Sequence, residues 1–167
     1  MFKHLLTFLF IGFLFSSCSA VKNFDSNVDQ KYSMKLGNIA DDRVESLTNR
    51  VNGKYGFQIS RNEKVSSLGG LYIETYWTDR EPFEDEKTLG YDRIQNQLVF
   101  TTKVLKSRTG SLSLESKYHE ISVTIYQQGR KMYTDEYERF NFTTSGKEYA
   151  KDLAYALKDY VTGSLML

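Results

Sequence analysis

Ile94-Gln95-Asn96-Gln97-Leu98-Val99-Phe100-Thr101-Thr102-Lys103-Val104 opens the stretch that decides the fold, and Met132 to Phe142 closes it. In the first segment Ile94, Leu98, Phe100 and Val104 fall on one face, the alternation of a half-buried strand. Ser107 to Ser111, with Thr109-Gly110, turns the chain into a second strand. There Leu112 and Leu114 keep one parity while Ile121, Val123 and Ile125 keep the other, so a bulge is predicted near Ser116 to Glu120. Gln128-Gly129 is read as a hairpin turn, leading into a last strand over Met132–Phe142. Long neighbours joined by tight turns must run antiparallel.

On the C-terminal side, Ser145-x-x-Glu148 has the form of a capping box. Tyr149, Leu153, Ala156, Leu157, Tyr160 and Val161 then recur as one helical stripe that stops near Gly163. On the N-terminal side, Tyr32 to Leu36 reads as a short strand. Ala40, Val44, Leu47 and Val51 form a second helical stripe, with Asn38 as N-cap and Asn52-Gly53 as the end. Tyr55 to Ile59 is a short strand, Ser60 to Gly70 a polar loop, and Leu71 to Thr78 an alternating strand. Asp79 to Tyr91 carries Glu81, Glu84, Asp85 and Glu86 and reads as a solvated loop. The sum is an α+β fold: an antiparallel meander of five to six strands, with an early and a C-terminal amphipathic helix on one face.

The start of the chain has a different character. Lys3 and His4 precede an uncharged apolar run from Leu5 to Phe15, too short for the roughly 20 residues a membrane-crossing helix needs. Small residues follow, the layout of a cleaved export signal. Phe15-Ser16-Ser17-Cys18 resembles the lipobox of bacterial lipoproteins, matching at the two small residues and the cysteine and departing at Phe15. The resemblance implies cleavage after residue 17, lipid on Cys18, a tether over residues 18–31 and one domain over 32–167. Ser19, a non-acidic residue after the cysteine, goes with outer-membrane sorting in that family, with the domain facing the periplasm. The order of lipid cysteine, tether, strand, helix, long strands and helix is similar to that of the small periplasmic outer-membrane lipoproteins, such as the lipopolysaccharide-assembly lipoprotein.

Charge and composition exclude several classes. Setting Lys3 aside with the leader, the remaining Lys and Arg balance the 21 Asp and Glu, which gives no electrostatic basis for nucleic-acid binding. Cys18 is the only cysteine, and His119 is the only histidine beyond the leader. A strand histidine facing solvent is the plain expectation for His119. Gly110-Ser111-Leu112-Ser113-Leu114 lacks the second glycine of a nucleophile elbow, and no phosphate-binding loop, dinucleotide fingerprint or zinc motif occurs. Neither a cofactor nor a metal is expected.

All 12 tyrosines lie beyond the leader. Tyr72 with Tyr76, and Tyr133 with Tyr137, share strand faces and are the candidate partner-binding residues, because tyrosine pairs an apolar body with a polar tip. The functional expectation is a membrane-anchored, non-enzymatic accessory or scaffold subunit of a bacterial envelope assembly, bound to an envelope protein. A lipocalin-like carrier of an apolar ligand is the alternative, although a closed barrel takes about eight strands. A hydrolase built on the carboxylates and His119 is the second alternative.

Overall fold

The computed structural model describes residues 30–65, 70–105 and 118–163. Within them an antiparallel sheet of seven strands and three α-helices make the expected α+β fold. The sheet is built on β5 (Tyr91–Val104) and β6 (Tyr118–Lys131), which pair with Leu98 opposite Ile125 and Phe100 opposite Val123. Even-numbered β5 residues and odd-numbered β6 residues therefore share one face. Ile94, Leu98, Phe100, Ile121, Val123 and Ile125 on it are all fully buried. β3 (Leu71–Thr75) and β4 (Thr78–Arg80) both pair with the far side of β5, and β2 (Ile59–Lys64) adds to β3. β1 (Lys31–Ala40) and β7 (Tyr137–Arg139) pair with β6. The order is β1-β6-β5-β3-β2, which leaves β1 and β2 as edges.

Two helices cover the apolar face. A 3₁₀ turn at Asp41–Arg43 leads into α1 (Val44–Tyr55), and α3 (Thr144–Gly163) closes the described chain; α2 is the short Glu84–Thr88. Val44, Leu47 and Val51 of α1 and Ala150, Leu153, Ala154, Leu157 and Val161 of α3 join the strand residues in one core. Each large aliphatic side chain buried there contributes about 1.5–3 kcal/mol. Tyr149 and Tyr160 pack on its border.

Several local readings are corrected. Asn38 lies within β1 opposite Glu120 and caps nothing; the strand outlasts its expected end because Leu36 and Ile39 both enter the core. The helix runs past Asn52-Gly53 to Gly56, whose φ of +73° ends it with its N–H on the Asn52 carbonyl. Ser60 to Lys64 is strand, not loop; as an exposed edge it shows no apolar alternation. The strand expected over Leu71–Thr78 divides into β3 and β4 on either side of Tyr76-Trp77.

Gly129 is not in a turn. β6 passes through it to Lys131, the chain turns at Met132-Tyr133, and only Tyr137–Arg139 of the expected last strand pairs. Gly129 sits beneath Tyr91 and Phe140, whose rings stack at 4.1 Å. A Cβ there would lie 2.5 Å from Tyr91 Cδ1 and 2.8 Å from Phe140 Cε1, so glycine is required for close approach rather than for a turn.

Of the region where a bulge is expected, Ser116 and Lys117 fall outside the described residues, and the β5–β6 ladder runs without a register shift at His119 and Glu120. Among the described residues the register shifts at Lys35/Gly37 in β1, Ile59/Arg61 in β2 and Tyr91/Arg93 in β5. The extra residue in β1 turns Leu36 inward. The leader with Cys18, the tether up to residue 29, the Ser107–Ser111 turn, Leu112, Leu114 and Gly69 fall outside the described residues.

Candidate functional site

The helices pack on one face of the sheet, and among the described residues no element covers the other. Register places Tyr72, Glu74, Gln95, Gln97, Val99, Ser122, Thr124, Tyr126, Gln128 and Tyr137 on it. It is laced by cross-strand polar contacts. Gln97 Nε2 donates to Glu74 Oε1 at 2.7 Å, Gln128 Nε2 to Gln95 Oε1 at 2.7 Å, and the Ser33 and Thr124 hydroxyls meet at 3.0 Å. Tyr72 donates to Glu74 Oε2 at 3.1 Å; burial first, then that hydrogen bond, hold its phenol above the usual value. Arg61 lies over the Tyr72 ring and Arg139 over the Tyr126 ring, with the guanidinium carbons 5.3 and 5.0 Å from the ring centroids.

Of the four tyrosines picked from sequence, only Tyr72 and Tyr137 lie on this face. Tyr76 follows the end of β3 and is exposed, and Tyr133 is in the turn after β6 with φ +71°, almost wholly in solvent. The pairing of i with i+4 fails because the strands end before the second tyrosine of one pair and begin after the first of the other. Tyr126 was missed. Its parity, opposite to Ile121, Val123 and Ile125, was the available signal.

His119 does not face solvent. The parity that buries Ile121 also buries His119, which is 2% exposed. Thr102 Oγ1 accepts the Leu71 N–H at 2.8 Å and lies 3.2 Å from His119 Nδ1. A carboxylate only accepts, so His119 Nε2 donates to Asp41 Oδ1 at 3.0 Å, and in the neutral ring Nδ1 then accepts the Thr102 hydroxyl proton. A hydroxyl, an imidazole and a carboxylate in a row have the connectivity of a nucleophile, its base and an orienting acid. Here the hydroxyl oxygen is already engaged by a backbone amide. The array links β3, β5, β6 and the 3₁₀ turn, and its geometry is that of a polar cross-brace at one end of the core.

The acidic stretch is not a solvated loop either. Asp79, Glu81 and Glu84 are exposed, but Glu86 is fully buried in α2. Arg80, on β4, reaches it with Nη1 to Oε2 at 2.7 Å and Nη2 to Oε1 at 2.6 Å. The remaining N–H groups of Arg80 donate to Asn96 Oδ1, the Glu81 carbonyl and Gln127 Oε1. All five donors are thereby used. Glu86 Oε2 also accepts the Phe83 N–H, and the guanidinium lies over the rings of Phe83 and Tyr149. Nothing in an alternation pattern announces a buried ion pair.

Asp85 serves α3. Its Oδ2 accepts the Ser145 N–H at 3.0 Å, and Thr143 Oγ1 accepts that of Gly146 at 3.1 Å. The cap is therefore Thr143, two residues before the expected Ser145. Burial opposes the Asp85 charge, but the Ser145 amide and the Ser145 and Thr143 hydroxyls outweigh it and lower its pKa.

An open cleft of about 580 Å³ lies between α1 and α3. Among the described residues no three His, Cys, Asp or Glu side chains group as metal ligands, and no helix is long and apolar enough to cross a membrane. The described strands form an open order β1-β6-β5-β3-β2, and α1 and α3 side chains pack on its apolar face. No family model, curated protein or solved structure matches the chain.

Proposed function

We propose that this chain is a bacterial lipoprotein held by lipid on Cys18 to the outer membrane, facing the periplasm, and that it is a non-enzymatic accessory subunit of an envelope assembly. The observation that carries this reading is the open sheet face. One side of the sheet is consumed by the helical core, while the other presents Tyr72, Tyr126 and Tyr137 among polar side chains that already satisfy one another. Such a face is partly apolar, and its Glu74 carboxylate is already held by Tyr72 and Gln97, which suits a protein partner. The lipobox-like Phe15-Ser16-Ser17-Cys18 supports the anchor.

The test is cross-linking in the native membrane. The wild type is compared with Cys18→Ser and with a triple Tyr72→Ser, Tyr126→Ser, Tyr137→Ser variant whose folding is checked by circular dichroism. One stoichiometric envelope protein, lost in both variants, is the expected result. Capture unchanged by either variant, or no capture from wild type, overturns the proposal.

A further inference from the structure

One end of the sheet carries apolar side chains that the fold leaves in water. β5 begins at Tyr91, just after α2, and β6 ends opposite it at Lys131. The two turns at that end are joined, since the Met132 N–H donates to the Gly90 carbonyl at 3.0 Å. Leu89 and Met132 are more than half exposed, and Tyr133 is 97% exposed. The second turn is closed by the Thr134 N–H and hydroxyl, which both donate to the Lys131 carbonyl. Within it Tyr133 holds φ +71°, a conformation that costs free energy for a residue with a Cβ. Glycine would relieve that cost, and folding buries almost none of the ring. Packing within the domain does not account for it.

The anchor end of the chain lies on the same side. β1 runs antiparallel to β6 and starts with Lys31 opposite Tyr126. The chain therefore enters β1 from the direction in which β6 continues to Lys131. At roughly 3.3 Å per strand residue, the tip stands about 20 Å beyond Lys31. Residues 18–30 reach at most about 45 Å, enough for a lipid on Cys18 and the tip to meet one bilayer. Val65, Leu105 and Tyr118, exposed at the opposite end, each border residues outside the described set.

We propose that Leu89, Met132 and Tyr133 are a membrane-contacting tip that enters the interface of the bilayer holding Cys18. The proposal rests on the reading of Cys18 as lipidated. Three such residues bind a bilayer weakly on their own, but the anchor makes the contact intramolecular and raises its effective concentration. Tyrosine, with its apolar body and polar end, suits the headgroup level. Electrostatic attraction has little part, because Lys87, Arg130 and Lys131 are paired with Glu84, Asp92 and Glu138. Asp135 and Glu136 are exposed just beyond Tyr133, so uncharged lipid suffices. A domain standing on this end turns its Tyr72 and Tyr126 face sideways, toward a partner in the same membrane.

The test is NMR of the full lipidated chain in phosphatidylcholine bicelles containing a lipid spin-labelled in its acyl chain. The Leu89 and Met132 methyl signals and the Tyr133 amide should broaden beyond detection. The Ala40 and His119 amides, at the far end of the sheet, should persist. In a Leu89→Ser, Met132→Ser, Tyr133→Gly variant, with folding checked by circular dichroism, the broadening at these three positions should be lost. Uniform broadening, none, or broadening kept in the variant, in protein whose mass shows lipid on Cys18, overturns the tip and leaves the anchor standing. A mass without lipid overturns the anchor and the tip together. Tip broadening that appears only after phosphatidylglycerol is added overturns apolar insertion.

Discussion

Replacing Arg80 by alanine tests whether the stretch from Asp79 to Glu86 is a structural staple. Arg80 and Glu86 are 11% and 0% exposed, and their closest approach is 2.6 Å. The substitution would leave the buried Glu86 carboxylate with the Phe83 amide alone, and would strip one donor each from Asn96, Gln127 and the Glu81 carbonyl. Breaking a buried pair by removing one partner costs about 3–5 kcal/mol, a large part of the roughly 5–15 kcal/mol that holds a domain together. At about 2–4 °C per kcal/mol for a domain near this size, the midpoint should fall by roughly 6–20 °C.

Lys87 and Glu84 provide the control. They meet at 2.7 Å but are 52% and 89% exposed, so Lys87→Ala should leave the midpoint almost unchanged. The distances differ by only a tenth of an ångström, and burial differs widely. Urea unfolding of the full chain in detergent, followed by the fluorescence of its single tryptophan, Trp77, compares the two. Equal and small losses would refute the reasoning. A double Arg80→Met, Glu86→Leu variant should recover much of the deficit, since no charge is then left buried.

Three further outcomes follow from the same geometry. Gly129→Ala places a methyl against the stacked Tyr91 and Phe140 rings and should cost about 1–3 kcal/mol in urea unfolding. Thr102→Val strands the Leu71 amide and His119 Nδ1 and should cost about 1–3 kcal/mol, while Thr102→Ser should keep most of the stability. Burial, with the Glu138 charge and hydrogen bond adding to it, pushes the Tyr91 phenol from its ordinary 10.0 to about 12. Its raised value favours the folded state fully below pH about 10, and that contribution is lost as pH rises to about 12. Tyr91→Phe should therefore flatten the alkaline decline in stability; an unchanged decline would exclude Tyr91 as its source.

The parts of this fold that read clearly were those where apolar residues repeat. Ile94, Leu98 and Phe100 announced β5, and Leu47 and Val51 announced α1, because burial on one face imposes a period. Elements stabilised by polar contacts carried no such period. β2 is an exposed edge, so Ser60 to Lys64 read as loop. Glu86 is buried by Arg80 across a tertiary contact, which local composition presents as one more acid in an acidic run. His119 and Gln127 were legible in principle, since they share the parity of Ile121 and Ile125; residue type outweighed position in the reading. Gly129 reads as a turn because glycine between polar residues usually is one, whereas here two rings from distant segments need the space.

Ser33 meets Thr124 across 91 residues of chain. β1 is the first described strand to emerge during synthesis, and the strand it pairs with comes late, followed last of all by the helix that covers it. Val161 and Thr162 of α3 pack close over Gly37 of β1, within 3.7 Å of where a Cβ would stand. Until β6 and α3 have emerged, Leu36, Ile39 and the inward side of α1 lack most of the surface they bury against, and the loop-closure entropy for β1 is undischarged. The β1–β6 pairing and its cover by α3 are therefore completed only once α3 has been made. A product cut short before α3 exposes a hydrophobic edge strand, a target for aggregation and proteolysis.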